Sequence, residues 1–298
     1  MSIQVLIAGA PDCIGTPLAR SLEKEGHRLR VYRYGEASSP HEQHAHETLG
    51  GDFTRLEDNE QALHGVEVAY YFSHHVGIAP THTAPPTWAA SQFTEAARRC
   101  GVRQIIYLSA LGPQYDQLPP HQRAQQLTGQ ILRSSGVPVT ELRAGPILGT
   151  STYAYRLLST LAERLPLFVS FKWAKTRIQP LALNDLLQYL TQALMIPGTI
   201  GHTLEVGGEI LSYEEMIRCY AKLQRWTRFM VPVPVQGTGL SARLIARLTH
   251  LPYSTARCFL DELCTDAVVQ NTLSRKLFSF TPMGCEEALQ QALRTNSL

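Results

Sequence analysis

The chain has 298 residues, 44% hydrophobic and 17% charged, which suits a globular protein with one large domain or a core domain plus a smaller appendage. Its formal net charge is +2, and its arginines are scattered without a basic run. That balance gives no support for nucleic-acid or polybasic membrane binding.

The opening "MSIQVLIAGAP" lacks the basic start and the apolar length of a signal peptide. Within it, "IQVLI" (Ile3 to Ile7) suits a buried parallel strand. In "CIGTPLARSLEKEGH", Ile14, Leu18 and Leu22 recur every four residues on one helix face, with Gly26 as the C-cap. "RLRVY" is a second strand, and "EASSPHEQHAHETLGG" (Glu36 to Gly51) reads as a mobile surface loop. "RLEDNEQALHG" is a polar helix and "EVAYYFS" a strand. "TWAASQFTEAARRCG" is a helix closed by Gly101 and leading into the strand "VRQIIYLS". "QQLTGQILRSSG" then reads as helix and "VPVTELRAG" as strand. This alternation predicts βαβ units with right-handed crossovers, hence an α/β fold with a doubly wound, Rossmann-type parallel sheet.

After about Gly149 helical patterns dominate, as in "YRLLSTLAERL" and "YEEMIRCYAKLQ", with short strands such as "TLEVGG" and "FMVPVPV" between them. The expected organisation is a dinucleotide-binding core over 1–149 and a smaller helix-rich lobe over 150–298, integrated with the core. The lobe would cover the carboxyl edge of the sheet, where doubly wound folds bind ligands. No run approaches the ~20 apolar residues of a membrane span, so a cytoplasmic protein is expected. The six cysteines show neither C-x-x-C nor zinc spacing and read as reduced thiols.

The stretch "VLIAGAPDCIGTPLARSLEKEGHRLRVY" resembles the opening of the extended and atypical short-chain dehydrogenase/reductases, whose pattern is T-G-x-x-G-x-x-G after the first strand. "AARRCGVRQIIYLSALGP", "ILRSSGVPVTELRAGPILG" and "LEVGGEILSYEEMIRCYAKL" extend the resemblance over nearly the whole chain, toward the YbjT/NmrA-like NAD(P)-binding branch. The resemblance implies a turn of Gly9, Ala10, Pro11, Asp12, Cys13, Ile14 and Gly15 that cradles the pyrophosphate of NADP(H) or NAD(H). Gly9 and Gly15 match the first and third family glycines, which serve the tight turn and close helix packing. The second glycine is replaced by Asp12. As a helix N-cap its carboxylate would take the N–H groups that a phosphate uses, a cap worth ~1 kcal/mol, and would weaken or close the site. Alternatively the turn shifts and keeps the dinucleotide.

Arg33 follows the second strand, where a guanidinium suits the 2′-phosphate of NADP, which places NADP(H) slightly ahead of NAD(H); a solvated strand-end arginine is the other reading. Relatives of the NADP type carry the arginine one position later, at Tyr34. The resemblance implies that Asp52 and Phe53 hold the adenine, and that Phe72, Ser73 and His74 pass the ribose and nicotinamide. Plain core is the alternative for Phe72.

Reductases of this superfamily use a Tyr-x-x-x-Lys pair, which falls here on His121 and Gln125. His121 is therefore the candidate acid, its alternative a solvent-facing histidine at a helix start. Ser109 lies near the family's serine, or is a strand-end hydroxyl. Arg143 and Gly145 match the family's "L-R-[PA]-x" segment near the nicotinamide, where the arginine binds an acidic substrate or pairs with an interior acid. His41, His44, His46, His74 and His75 read as histidine-rich loops, and no metal is expected. "HHVGIAPTHTAPPTW" reads as a lid, with Trp88 either core or ligand-stacking. Without a G-x-S-x-G elbow a hydrolase has no support.

These readings point to an NAD(P)(H)-binding reductase-like protein acting on a small apolar or quinone-like substrate. The rival is a non-catalytic redox sensor or scaffold on the same fold, with a protein partner and with cofactor binding weakened or lost. A redox-neutral isomerase or lyase is a third and weaker reading.

Overall fold

The computed structural model describes residues 2–35, 47–73, 85–113, 118–164, 167–170, 172–226, 229–232, 239, 242–243, 246–247 and 253–296. Strand β1 (Gln4–Ala8) is buried at every position after Gln4, so both its faces need cover and it belongs at the centre of a sheet. Around it lie β2 (Arg28–Tyr34), β3 (Glu47–Gly51), β4 (Val68–Phe72), β5 (Gln104–Ala110), β6 (Val139–Ala144) and β11 (Thr203–Val206). The order is β11-β6-β5-β4-β1-β2-β3, every pair parallel, with the reversal of a doubly wound fold on either side of β1. The seventh strand comes from beyond Gly149.

Helices cover both faces. On one, α1 (Asp12–Lys24) packs beside α6 (Leu183–Met195), and Ile14, Leu18 and Leu22 join Leu186 and Leu190 in one apolar cluster. On the other, α2 (Leu56–Leu63), α3 (Pro86–Arg99) and α4 (Pro120–Arg133) lie in sequence, with Leu63, Phe93, Ala97 and Leu132 buried. The periodicity of "CIGTPLARSLEKEGH" thus predicts the face that α1 buries.

One expectation is corrected here. Glu47–Gly51 is not loop but the edge strand β3, paired with β2 from Arg30–Glu47 to Tyr34–Gly51. Its side chains are exposed or half-buried, so the ladder is held by backbone hydrogen bonds that no side-chain pattern announces. Residues 36–46, with His41, His44 and His46, lie outside the described residues.

The helix-rich part contains α5 (Tyr153–Arg164), α7 (Tyr213–Leu223), α8 (Tyr253–Leu263), α9 (Leu273–Leu277) and α10 (Cys285–Asn296). Leu158, Trp173, Tyr220, Leu260 and Leu289 share a third apolar cluster there. Short strands link it to the sheet: β7 (Ile147–Leu148) pairs with β10 (Leu181–Ala182), and β9 (Arg177–Ile178) with β12 (Leu211–Ser212). Strands β8 (Leu167–Ser170) and β13 (Phe229–Pro232) form a separate parallel pair.

The two parts cross at glycines. A Cβ on Gly145 would fall on the Gln179 carbonyl oxygen, and one on Gly208 would lie 2.6 Å from the Pro180 oxygen. Gln179 ties the crossing together, donating to Gly208 O at 2.8 Å and accepting from Val269 N–H at 2.6 Å. Backbone cannot yield as a side-chain tip does, so Gly145→Ala is expected to cost about 3 kcal/mol. Urea unfolding would show this as a lower midpoint with unchanged slope; an unmoved midpoint would mean the strands part freely.

Alkaline pH tests the sheet. Tyr70 is fully buried and donates to Leu190 O at 2.9 Å, and burial also pushes the hydroxyls of Tyr71 and Tyr107 far above the usual tyrosine range. Above pH ~10 the unfolded chain loses these protons while the folded chain keeps them. Stability is therefore present below pH ~10 and falls as pH rises further, by at most about 1.4 kcal/mol per pH unit for each tyrosine. Thermal unfolding between pH 9 and 11 would reveal a Tm that falls only above the tyrosine range; a flat profile would contradict it.

Candidate functional site

Strand β1 ends at Ala8, and Gly9 turns the chain at φ +71°, a conformation suited to glycine. The Gly9 N–H donates to Tyr32 O at 3.0 Å, anchoring the turn to β2. Helix α1 then begins under a tight constraint: a Cβ on Gly15 would lie 2.9 Å from Ala10 Cβ. The N–H groups of Ile14 and Gly15 both donate to Pro11 O, at 2.9 and 2.8 Å.

Pro11, not Asp12, is the N-cap of α1, and no side chain caps the helix. The expectation that the Asp12 carboxylate caps the free N–H groups is thereby corrected. Asp12 sits in the first helical turn, 78% exposed, and its Oδ1 lies 3.1 Å from Arg33 Nη2. One position past the cap, its side chain turns to the guanidinium and not to the free N–H groups. Cys13 beside it is half-buried, and burial holds its thiol above the ordinary range.

Asp52 follows β3 and acts as an internal acceptor. Its Oδ1 takes hydrogen bonds from Tyr34 Oη at 2.8 Å, Thr54 N–H at 2.8 Å and Thr54 Oγ1 at 2.7 Å. Burial and this bond together raise the Tyr34 hydroxyl well above its usual range, so it stays a donor. Phe53 is 2% exposed and stacks on Tyr32 and Tyr34, with ring centroids 4.3 and 5.7 Å apart. Phe53 is core beneath the sheet edge, and Tyr34 faces Asp52 where NADP-type relatives place an arginine.

At the ends of β4 and β5, Phe72 is buried and Ser73 half-buried, while His74, with His75, lies outside the described residues. The lid stretch is described only from Pro85, where Trp88 is 50% exposed on α3. Tyr107 Oη lies 2.9 Å from Gln125 O and 3.4 Å from Ser73 Oγ. Gln125 Oε1 accepts the Ala110 N–H at 2.8 Å, which leaves the Gln125 amide nitrogen facing His121 Nε2 at 3.0 Å. The amide donates and Nε2 accepts, so the His121 imidazole is neutral with its proton on Nδ1. His121 is half-buried against its own helix and not a solvent-facing histidine. The two positions of the family's Tyr/Lys pair are thus bonded to each other.

Ser109 is 5% exposed and its hydroxyl donates to Glu141 Oε1 at 2.8 Å. Glu141 is fully buried at the centre of a charged cluster. Its Oε1 also lies 2.9 Å from Arg143 Nε, and its Oε2 pairs with Arg133 and lies 3.4 Å from Thr203 Oγ1. Arg143 therefore pairs with an interior acid. Glu141, Arg133 and Tyr107 are not among the residues the sequence points to, although a glutamate inside the strand pattern "VPVTELRAG" is the signal of a paired buried charge. Among the described residues, no group of three or more histidine, cysteine or acidic side chains is placed to hold a metal. No described helix is long and apolar enough to cross a membrane.

A family described as NAD(P)H-binding matches residues 9–165. No curated protein matches the chain. Among solved structures, a nucleoside-diphosphate-sugar epimerase from Staphylococcus aureus is similar at 15% identity and a TM-score of 0.78, covering 97% of this chain and 100% of its own. The Citrobacter sp. triphenylmethane reductase complexed with NADP(H) has 16% identity and a TM-score of 0.75, over 97% and 99%. The Escherichia coli NADPH-dependent quinone oxidoreductase complexed with NADPH has 17% identity and a TM-score of 0.75, over 97% and 99%. These likenesses bear out the fold, and the family match bears out the NAD(P)-binding resemblance.

Proposed function

The chain belongs to the NAD(P)H-binding family, and on that premise we propose that it binds NADP(H) ahead of NAD(H) and reduces a small apolar or quinone-like substrate. The observation that carries the reading is Arg33, whose guanidinium is already seated on an anion, the Asp12 carboxylate, beside the turn after β1. A guanidinium so placed suits a 2′-phosphate. Gly9 and Gly15 fit the group: one supplies the left-handed turn and the other brings α1 close to it. Backbone from Gly9 to Gly15, at an N-terminus without a side-chain cap, would take the pyrophosphate. Asp52 would flank the adenine, with Phe53 supporting it from the core behind, and Phe72, Ser73 and His74 would flank the ribose and nicotinamide.

When bound, the dinucleotide supplies a hydride. His121 is the acid of this reading only as the imidazolium, which requires Nε2 to leave the Gln125 amide and take up a proton, whereas the Ser109 hydroxyl is committed to Glu141. The relatives complexed with NADP(H) and NADPH support the cofactor choice. Calorimetric titration with NADPH, NADP⁺, NADH and NAD⁺ tests it. Micromolar NADPH binding, at least about tenfold tighter than NADH, is the expected result. NADH binding as tightly as NADPH would overturn the preference.

A second reading, a redox sensor without turnover, is favoured by the mutual His121–Gln125 bond at the positions of the family's acid and cation. NADPH binding without oxidation by any of a panel of quinones would favour it.

A further inference from the structure

The helix-rich part brings together two nucleophilic side chains that the dinucleotide site does not use. Cys219 lies on α7 and Cys285 is the first residue of α10, and these helices pack against each other. Cys285 is 5% exposed within the third apolar cluster, and Cys219 is half-buried against the same cluster. The two thiols stand at the same α7–α10 contact, close enough for each to perturb the ionisation of the other. A second contact fixes their register: Lys222, one turn after Cys219, lies 3.3 Å from Glu286, the residue after Cys285. The Glu209 carboxylate holds the Cys285 N–H at 3.4 Å, pinning the start of α10. No spacing motif foretells the pair, because the partners come from helices distant in sequence.

We propose that Cys219 and Cys285 are a modification site, an oxidisable pair that peroxide converts into a disulfide joining α7 to α10. Cys219 is the more accessible thiol and reacts first. Its thiolate attacks one oxygen of hydrogen peroxide, an S–O bond forms, the O–O bond breaks and hydroxide leaves. The product is a sulfenic acid on Cys219. Cys285 Sγ then attacks that sulfur, an S–S bond forms, the S–O bond breaks, and the hydroxyl leaves as water with the Cys285 proton. Peroxide is the two-electron oxidant, and two thiols and one peroxide give one disulfide and two waters. Interaction with Cys285, aided by Lys222, lowers the Cys219 thiol against the opposing effects of burial and nearby carboxylates. The same interaction, together with burial, raises Cys285, so Cys219 is the partner that ionises more readily. Side chains on two packed helices can rotate to bring sulfur to sulfur, the geometry that a disulfide requires.

The test treats the full-length protein with stoichiometric hydrogen peroxide, alkylates it under denaturing conditions and maps the peptides by mass spectrometry. The expected product is a cross-linked peptide pair bearing Cys219 and Cys285, about 2 Da lighter than the reduced pair and absent after dithiothreitol. Cys285→Ser should abolish the cross-link and leave a Cys219 sulfenic acid that dimedone captures. The proposal is overturned if both thiols remain alkylatable after peroxide. It is equally overturned if Cys219 proceeds to sulfinic acid while Cys285 stays free.

Discussion

Replacing Asp12 with glycine is expected to tighten NADPH binding about tenfold and NADH binding by less, about threefold. Two effects of one carboxylate combine. In the native chain it pairs with Arg33 at 3.1 Å, so a 2′-phosphate must displace it, and it stands in the first turn of α1, where it repels the pyrophosphate. Glycine removes both, and the exposed N-terminal position tolerates it. Because Asp12 is 78% exposed, salt screens the pair, and the gain should shrink as sodium chloride approaches 1 M. Arg33→Ala is the companion variant and should weaken NADPH while leaving NADH nearly unchanged. Calorimetry on the three proteins decides the matter. If Asp12→Gly binds no more tightly than the native chain, Asp12 does not compete with the cofactor, and Arg33 loses its assigned role if its removal leaves the NADPH preference intact.

Glu141→Ala should be the most damaging single substitution in the sheet. Glu141 is fully buried and pairs with both Arg133 and Arg143, whose side chains are 29% and 11% exposed, while accepting the Ser109 hydroxyl. Removing one partner of a buried ion pair leaves uncompensated charge and costs about 3–5 kcal/mol. The orphaned Ser109 hydroxyl adds to that. Against a total stability of about 5–15 kcal/mol, such a loss threatens the fold at working temperature. Gly129 shows how closely α4 fits this acid, since a Cβ there would lie 3.0 Å from a Glu141 carboxylate oxygen. Urea unfolding followed by circular dichroism is the measurement. A loss below about 1 kcal/mol would mean that water, not Glu141, solvates the two arginines.

Contacts between distant segments set the surroundings of Asp12, Ser109 and Phe53 alike. Asp12 carries the chemistry of an N-cap, and a sequence window around it contains only that option. Arg33 reaches it because β2 lies beside β1, a relation between segments about twenty residues apart. Ser109 reads as a strand-end hydroxyl near a catalytic position, yet β5 and β6 pair so that Ser109 stands opposite Arg143 and beside Glu141. Its proton is used inside the protein. Phe53, implied as an adenine contact, lies in an aromatic stack that forms only when β2 and the segment after β3 meet.

Local pattern determined a good deal on its own. The apolar runs, the four-residue recurrence of Ile14, Leu18 and Leu22, and the glycines at 9, 15, 26 and 101 are each read within a few residues. Each reports a backbone conformation or a buried face, and together they determined a doubly wound sheet with a dinucleotide turn after β1. Everything that depends on charge meeting charge, or on one backbone crossing another, was decided by the tertiary structure. The Asp12–Arg33 pair, the Glu141 cluster, the edge strand β3, the Gln179 crossing and the Cys219–Cys285 contact all join residues distant in the chain. Their energies depend on distance and burial, and those quantities exist only once the sheet has brought its strands together.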